Sequence, residues 1–317
     1  MTAAPASAGS GTEVAAVARV AAPRLRRPWI TPEERRAYGF VAPLVAVEIL
    51  FVVTPLVIGF YYSLHRVDYF ELTAFRGLDN YWRVITSPMV IASLVATLVF
   101  SLGALALTLT AGLSLALHLE RDTRWNVFAR AAALVPYVIS MLVGSLLLRW
   151  IFSTDSGLVA ATLGPFGLGD TAILADPTSA MGALIFNALW RDSAFAMILL
   201  LAGLKSIPPQ LHQAARVDGA SAWYRFRRIT LPLMRIPILI AVVRLLIHFV
   251  NVLTFSLVLT GGGPNGATQT VGLTMYRLGF LDARIGEANA LAILVFLFNI
   301  VLIAVNVVLF RERRRTA

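Results

Sequence analysis

The sequence predicts an all-α integral membrane protein of six spans, and three observations carry that prediction. Of its 317 residues, 58% are hydrophobic and only 14% are charged. An ordinary soluble domain carries about 25% charged residues. The apolar residues gather in six long runs, each close to or above the roughly 20 residues that a membrane helix needs. The basic residues mostly avoid these runs, and their density alternates from one connection to the next.

Residues 1–28 are rich in Ala, Ser, Gly and Arg and are expected to be disordered. They open a basic tail that continues to residue 36. The short run EVAAVARVAA precedes its arginine cluster, the reverse of a secretion signal. An amphipathic piece on the membrane surface is the other reading of this tail. The first span is 38–64. Its Pro43 and Pro55 are acceptable, because proline is commoner in membrane helices than in soluble ones. The second span is 89–117. The third is 128–152 and contains Pro136. The connection 153–180 holds Asp155, Asp170 and Asp176 but no Lys or Arg. The fourth, fifth and sixth spans are 181–204, 236–259 and 288–310, and 311–317 is a second basic tail. The spans and their loops, 37–310, form the membrane domain, with one long polar loop at 205–235.

The charges orient this chain. There are 27 Lys and Arg against 17 Asp and Glu, a net charge of +10. Nineteen of the basic residues fall in the two tails and in the second and fourth connections with their flanks, Arg130 among them. Five (Arg66, Arg76, Arg83, Arg277 and Arg284) fall on the other side, and Arg149, Arg191 and Arg244 lie inside spans. The excess of Lys and Arg marks the cytoplasmic side, so both termini and the 205–235 loop are expected there. The same distribution accounts for the positive charge through the lipid bilayer, and no nucleic-acid partner is expected.

Several chemistries are excluded. With no cysteine there is neither a disulfide framework nor a thiolate metal site. His65, His118, His212 and His248 share no metal-ligand spacing. The phosphate-cradling pattern G-x-x-x-x-G-K-[ST] does not occur. GGGPNG at 261–266 has no following Lys and reads as a turn-rich loop. No catalytic, metal or cofactor-binding residues are expected in this chain.

One polar stretch, LHQAARVDGASAWYRFRRITLP (211–232), sits between two apolar spans. Pro208 and Pro209 suit the start of a helix. Leu211, Ala214, Ala215 and Asp218 then share one helical face, which the two alanines keep low. Asp218-Gly219 signals a turn with positive φ. A second short helix follows, with Trp223, Phe226 and Thr230 on one side, and Leu231-Pro232 is expected to end it. Local physics allows two roles, a hairpin lying on lipid headgroups or a knob for a cytoplasmic partner. The alanines and the defined turn favour the knob.

This stretch resembles the EAA signature of permease subunits in binding-protein-dependent ATP-binding-cassette (ABC) importers, roughly E-A-A-x-x-D-G-A followed by I-x-L-P. Ala214, Ala215, Asp218, Gly219, Ala220, Ile229, Leu231 and Pro232 match it, and Gln213 stands where the family has Glu. LTGGGPNGATQT (259–270) and RIGEANALAILVFLF (284–298) resemble the carbohydrate branch of that family, which includes the maltose and glycerol-phosphate importers. The resemblance implies a six-helix type I importer bundle and a second, homologous permease subunit. It also implies two ATPase subunits carrying ATP and Mg, and an extracytoplasmic solute-binding protein. The chain itself is then not an enzyme and lies in a bacterial or archaeal plasma membrane. The ATPase-coupling residues are expected to be Gln213, Ala214, Ala215, Asp218, Gly219, Ala220, Phe226, Leu231 and Pro232.

Ionisable groups at membrane depth are costly and face protein or a cavity. Arg191 and Asp192 lie in the fourth span and Arg244 and His248 in the fifth, with Asn187 and Asn251 nearby. At about 1.5 Å rise per residue, His248 comes level with Asp192 and Arg244 lies roughly 6 Å away in depth. Two readings stand side by side. Arg244, His248 and Asn251, met by Asn187 or Asp192, line a path for hydroxyl-rich solutes. Otherwise an Asp192–Arg244 pair is structural glue. The rival function is an ion-gradient-driven secondary transporter using Asp192, Arg244 and His248 as a proton relay.

Overall fold

The computed structural model describes residues 32–68, 71–154, 157–163, 166 and 172–315. Residues 1–31 of the expected tail, and Asp155 and Asp170 of the acidic connection, lie outside the described residues. The chain divides into two units between Pro55 and Leu56. In the first, α1 (Pro32–Glu48) runs into a widened π turn at Ile49–Val53.

The second unit opens as α2 (Thr54–Ser63) is completed. A β-hairpin follows, its strands β1 (His65–Asp68) and β2 (Glu71–Phe75) pairing antiparallel with a bulge between Arg66 and Val67. It is the one sheet among the described residues. Next come α3 (Asp79–Thr86), α4 (Pro88–His118), α5 (Arg124–Val138), α6 (Met141–Ile151), α7 (Leu158–Leu163) and α8 (Pro177–Lys205). The polar stretch contains α9 (Pro209–Val217), α10 (Ala222–Arg225) and α11 (Leu231–Leu233). The chain ends with α12 (Arg235–Asn251), α13 (Val271–Tyr276) and α14 (Ile285–Arg315). As far as it is described, the expected tail at 311–317 continues the last helix.

Among the described residues, four helical stretches are long and apolar enough to cross a membrane, and the number rises to six if each of two bent pairs is one span. The third expected span, 128–152, is one of these pairs, with α5 and α6 meeting at 92°. Pro136 withholds an N–H two residues before α5 ends. Ile139 and Ser140 are extended, and Ser140 O then accepts from Gly144 N to start α6. The fifth expected span, 236–259, is also not continuous. Its helix stops at Asn251, and Val252 is extended (φ −70°, ψ 122°). Gly272 comes close at that break, where a Cβ would lie 3.3 Å from Val252 O. Neither Pro nor Gly marks this position, so packing sets the break.

The core lies among α4, α8 and α12. Phe100 is fully buried and meets the edges of Phe249 and Phe255 at 5.8 and 6.5 Å. Small residues let α4 and α8 approach closely, as membrane helices do in place of a hydrophobic drive. Gly112 faces Ala196 so tightly that any Cβ there would collide. Asp176 caps α8, accepting from Thr178 N at 3.0 Å and Ser179 N at 2.9 Å, with Pro177 in the first turn. The Ser179 N–H, more than any other group, holds the Asp176 carboxyl below its usual pKa.

Candidate functional site

The polar stretch folds as a hairpin of two short helices, and its turn is fully specified. Asp218 N bonds Ala214 O at 3.0 Å, Gly219 N bonds Arg216 O at 3.1 Å and Ala220 N bonds Ala215 O at 2.9 Å. The last two bonds form a Schellman motif, which needs a left-handed residue just past the helix end. Gly219 supplies it with φ +77°. Ser221 then caps α10 by accepting from Tyr224 N at 3.2 Å, and Arg225 Nη1 reaches back to Ala220 O at 2.9 Å. Sequence reasoning assigned neither of these two bonds. A Ser directly before a helical run was the available signal for the cap.

Gln213, Ala214, Asp218 and Gly219 are exposed, and Ala215, Ala220 and Phe226 are half-buried. Large apolar groups stand in solvent around the turn, with Val217 88% and Trp223 67% exposed. Trp223 and Phe226 lie 5.6 Å apart, while Thr230 is buried at the base. Leu231-Pro232 does not end the second helix. Leu231 keeps helical geometry (φ −61°, ψ −43°), and its N–H reaches Phe226 O across a π turn at Phe226–Thr230. The widened turn makes room for the Pro232 ring that a regular helix would exclude. The chain bends only at Met234, by 64°.

Beneath the hairpin lies a polar cleft of about 670 Å³. Its far wall is the connection after α4. Asp122 accepts from Lys205 Nζ at 2.6 Å and from Arg130 Nη1 at 2.8 Å. Arg130 also donates to the carbonyls of Leu119, Glu120 and Arg121. Lys205 first, and Arg130 next, hold the Asp122 carboxyl below its usual pKa. His212, Gln213 and Arg216 of α9 form the near wall.

The second cluster lies within the spans, and the structure divides the expected stripe. Asp192, 2% exposed, accepts from Arg191 Nη1 at 3.0 Å, and its Oδ2 lies 3.5 Å from His248 Nε2. Arg244 makes no ion pair with Asp192. Its guanidinium lies 5.5 Å over the Phe195 ring instead, and Arg191 takes Oδ1 of the carboxylate. Arg191 itself lies 4.9 Å over Tyr137, which stacks on Phe195. Asn187 turns to α6 and donates to Ser145 Oγ at 2.9 Å. Asn251 pairs reciprocally with Asn299 of α14, at 3.3 and 3.1 Å. Asp192 Oδ2, His248 Nε2, Arg191 Nε and Asn187 Oδ1 are buried without a hydrogen-bond partner among the described residues. Arg149 Nη1 reaches Val258 O at 3.4 Å.

The family model described as binding-protein-dependent transport system inner membrane component matches residues 108–315. The chain is 33% identical over 284 residues to the trehalose/maltose transport system permease protein MalF of Thermococcus litoralis, covering 88% of this chain and 96% of that one. It is 30% identical to the trehalose transport system permease protein SugA of Mycobacterium tuberculosis, covering 83% and 85%. Among solved structures, the crystal structure of a bacterial ABC transporter involved in alginate import superposes with a TM-score of 0.77. That match covers 89% of this chain and 96% of that one at 24% identity, and it carries the fold.

Proposed function

We propose, for a chain that belongs to the family of binding-protein-dependent transport system inner membrane components, that it is the permease subunit of an ATP-driven importer of a sugar or sugar-like solute. The names of its relatives support the solute class, trehalose and maltose for one and trehalose for another. The exposed hairpin carries the coupling half of the proposal. Its turn is pinned by two Schellman bonds and a capping Ser, while its tip shows Val217 and Trp223 to solvent. A rigid knob with apolar groups at its end suits a grip by another protein.

In this reading a separate ATPase, holding ATP and Mg, grips residues 208–232 in the cytoplasm. Two ATPase copies, a homologous second permease and an external solute-binding protein complete the assembly. Gln213 offers the ATPase an amide in place of the family's carboxylate. Motion of the hairpin passes through Thr230 and Met234, both buried at its base, into α12, where His248 meets Asp192. Of the expected stripe, His248, Asp192 and the Asn187 amide oxygen keep open hydrogen-bonding capacity for a hydroxyl-rich solute. The ion-gradient alternative has only the His248 and Asp192 pair in its favour.

The test is uptake by the purified, reconstituted assembly against a panel of disaccharides, polyols and phosphorylated sugars. ATP-dependent uptake of one class supports the proposal, and uptake driven by a proton or sodium gradient without ATP overturns it. For orientation, single cysteines at Arg227 and Asp282, both exposed, should react with an impermeant thiol reagent from opposite sides. Thr268, a natural choice from sequence alone, is fully buried and unsuited to labelling.

A further inference from the structure

Arg66, Arg76, Arg83 and Arg284, with Gly286 and Glu287, line one cleft of about 290 Å³. These are four of the five arginines that the loop charges place opposite the basic tails. The cleft stands where two spans end. Arg66 follows the end of the span Arg35–Ser63 by three residues, and Arg284 immediately precedes the span Ile285–Asn306. Three extended residues reach no more than about 10 Å. The guanidinium groups therefore stand at the level of the polar headgroups flanking the hydrocarbon.

The neighbouring helix α3 points to the same layer. Leu78, Trp82 and Ile85 recur at helical spacing and are 71%, 68% and 53% exposed. On the opposite face Asn80 and Val84 are buried. A short helix with an exposed apolar face containing Trp, beside the end of a span, suits the membrane interface. Its position is fixed from within. Asn80 Nδ2 donates to Ser63 O and His65 O at 2.9 Å each, and Tyr81 Oη and Ser63 Oγ are 2.6 Å apart. A Cβ on Gly286 would collide with His65 O, so only glycine lets α14 begin this close to β1.

The charges leave an excess. Asp79 accepts from Arg76 and Arg83 at 2.9 Å each, and Glu287 accepts from Arg284. Three guanidinium groups, those of Arg76, Arg83 and Arg284, thus share two carboxylates, at the positive end of the long helix α14. A guanidinium carries five N–H donors in a fork that matches phosphate oxygens, and each of these ion pairs engages only one of them. We propose that this cleft seats the phosphate of an anionic phospholipid headgroup, with the apolar face of α3 embedded in the same leaflet. The inference rests on where the spans end and not on the transport reading.

The test uses the full-length chain purified in a neutral detergent. Native mass spectrometry would compare retention of phosphatidylglycerol with that of phosphatidylcholine, in the presence and absence of millimolar inorganic phosphate. The wild type is expected to retain one phosphatidylglycerol in preference to phosphatidylcholine, and inorganic phosphate should not displace it. Arg76→Gln and Arg284→Gln should each weaken retention about fivefold, as one basic residue at a lipid surface does. Arg83→Gln leaves Asp79 paired with Arg76, as Arg76→Gln leaves it paired with Arg83, and it should show the same loss. The thermal midpoint without lipid reports folding. Phosphatidylglycerol should raise it in the wild type more than in any of the three variants. Equal retention in all three variants overturns the proposal. So does displacement by inorganic phosphate, which would mark a site for a soluble anion.

Discussion

Replacing Gly219 separates the geometry of the hairpin from its chemistry. Gly219 holds φ +77°, and a Cβ there would meet nothing within 4 Å. Gly219→Ala therefore adds no clash, only the intrinsic left-handed cost of about 1–2 kcal/mol. Gly219→Pro is different in kind. Proline fixes φ near −65°, a rotation of about 140°. It also drives Asp218, now at ψ 1°, out of the helical region. The bond from Gly219 N to Arg216 O is removed outright, and the bond from Ala220 N to Ala215 O loses its alignment. Two such bonds contribute about 1 kcal/mol each, on top of a conformation that proline cannot adopt, so the local loss is about 3 kcal/mol or more. Helix α9 buries none of its nine residues, and helices this short are marginal without their caps. The hairpin should open while the spans stay folded. Amide exchange across 211–225 should accelerate about tenfold in the Ala variant and at least a hundredfold in the Pro variant. The thermal midpoint of the bundle should not move, and solute-stimulated ATP hydrolysis in the assembly should disappear in the Pro variant alone. Wild-type exchange and coupled turnover in Gly219→Pro would refute the reasoning.

Three further outcomes are expected. Asp122, its pKa lowered by Lys205 and Arg130, contributes stability that is present above the ordinary value of 3.8 and lost as the pH falls through its lower folded pKa. The thermal-midpoint gap between wild type and Asp122→Asn should accordingly be flat across neutral pH and close only in strong acid. Gly112→Val would press a side chain onto Ala196 and within 3.0 Å of Met197 N. That overpacking should cost about 1–3 kcal/mol, visible as a lower thermal midpoint in detergent. His248→Ala should weaken solute affinity in reconstituted transport, whereas Asn251→Ala should spare affinity and lower the midpoint, because Asn251 is bonded to Asn299. If neither variant changes affinity, the path runs elsewhere.

The sequence by itself determined what local physics controls. Composition and the length of each apolar run give six candidate crossings. Pro209 and Gly219 mark one start and one stop in the hairpin, because proline's missing N–H and glycine's positive φ act within a single turn. The height of His248 opposite Asp192 also followed from rise per residue alone. Tertiary structure decided the rest. Pro232 looked like a helix end, yet a π turn absorbs it. The break at Val252 has no residue signal and depends on Gly272, twenty positions later. Arg244 packs over Phe195 and not on Asp192, and Asn251 found Asn299, forty-eight residues away. The four arginines of the cleft at the span ends come from three separate segments, joined by the packing of α3 and α14 around the end of α2. Periodicity reports which side of a helix is apolar. Which residue of another helix stands opposite depends on bends and rotations, which are set by close packing across the whole bundle.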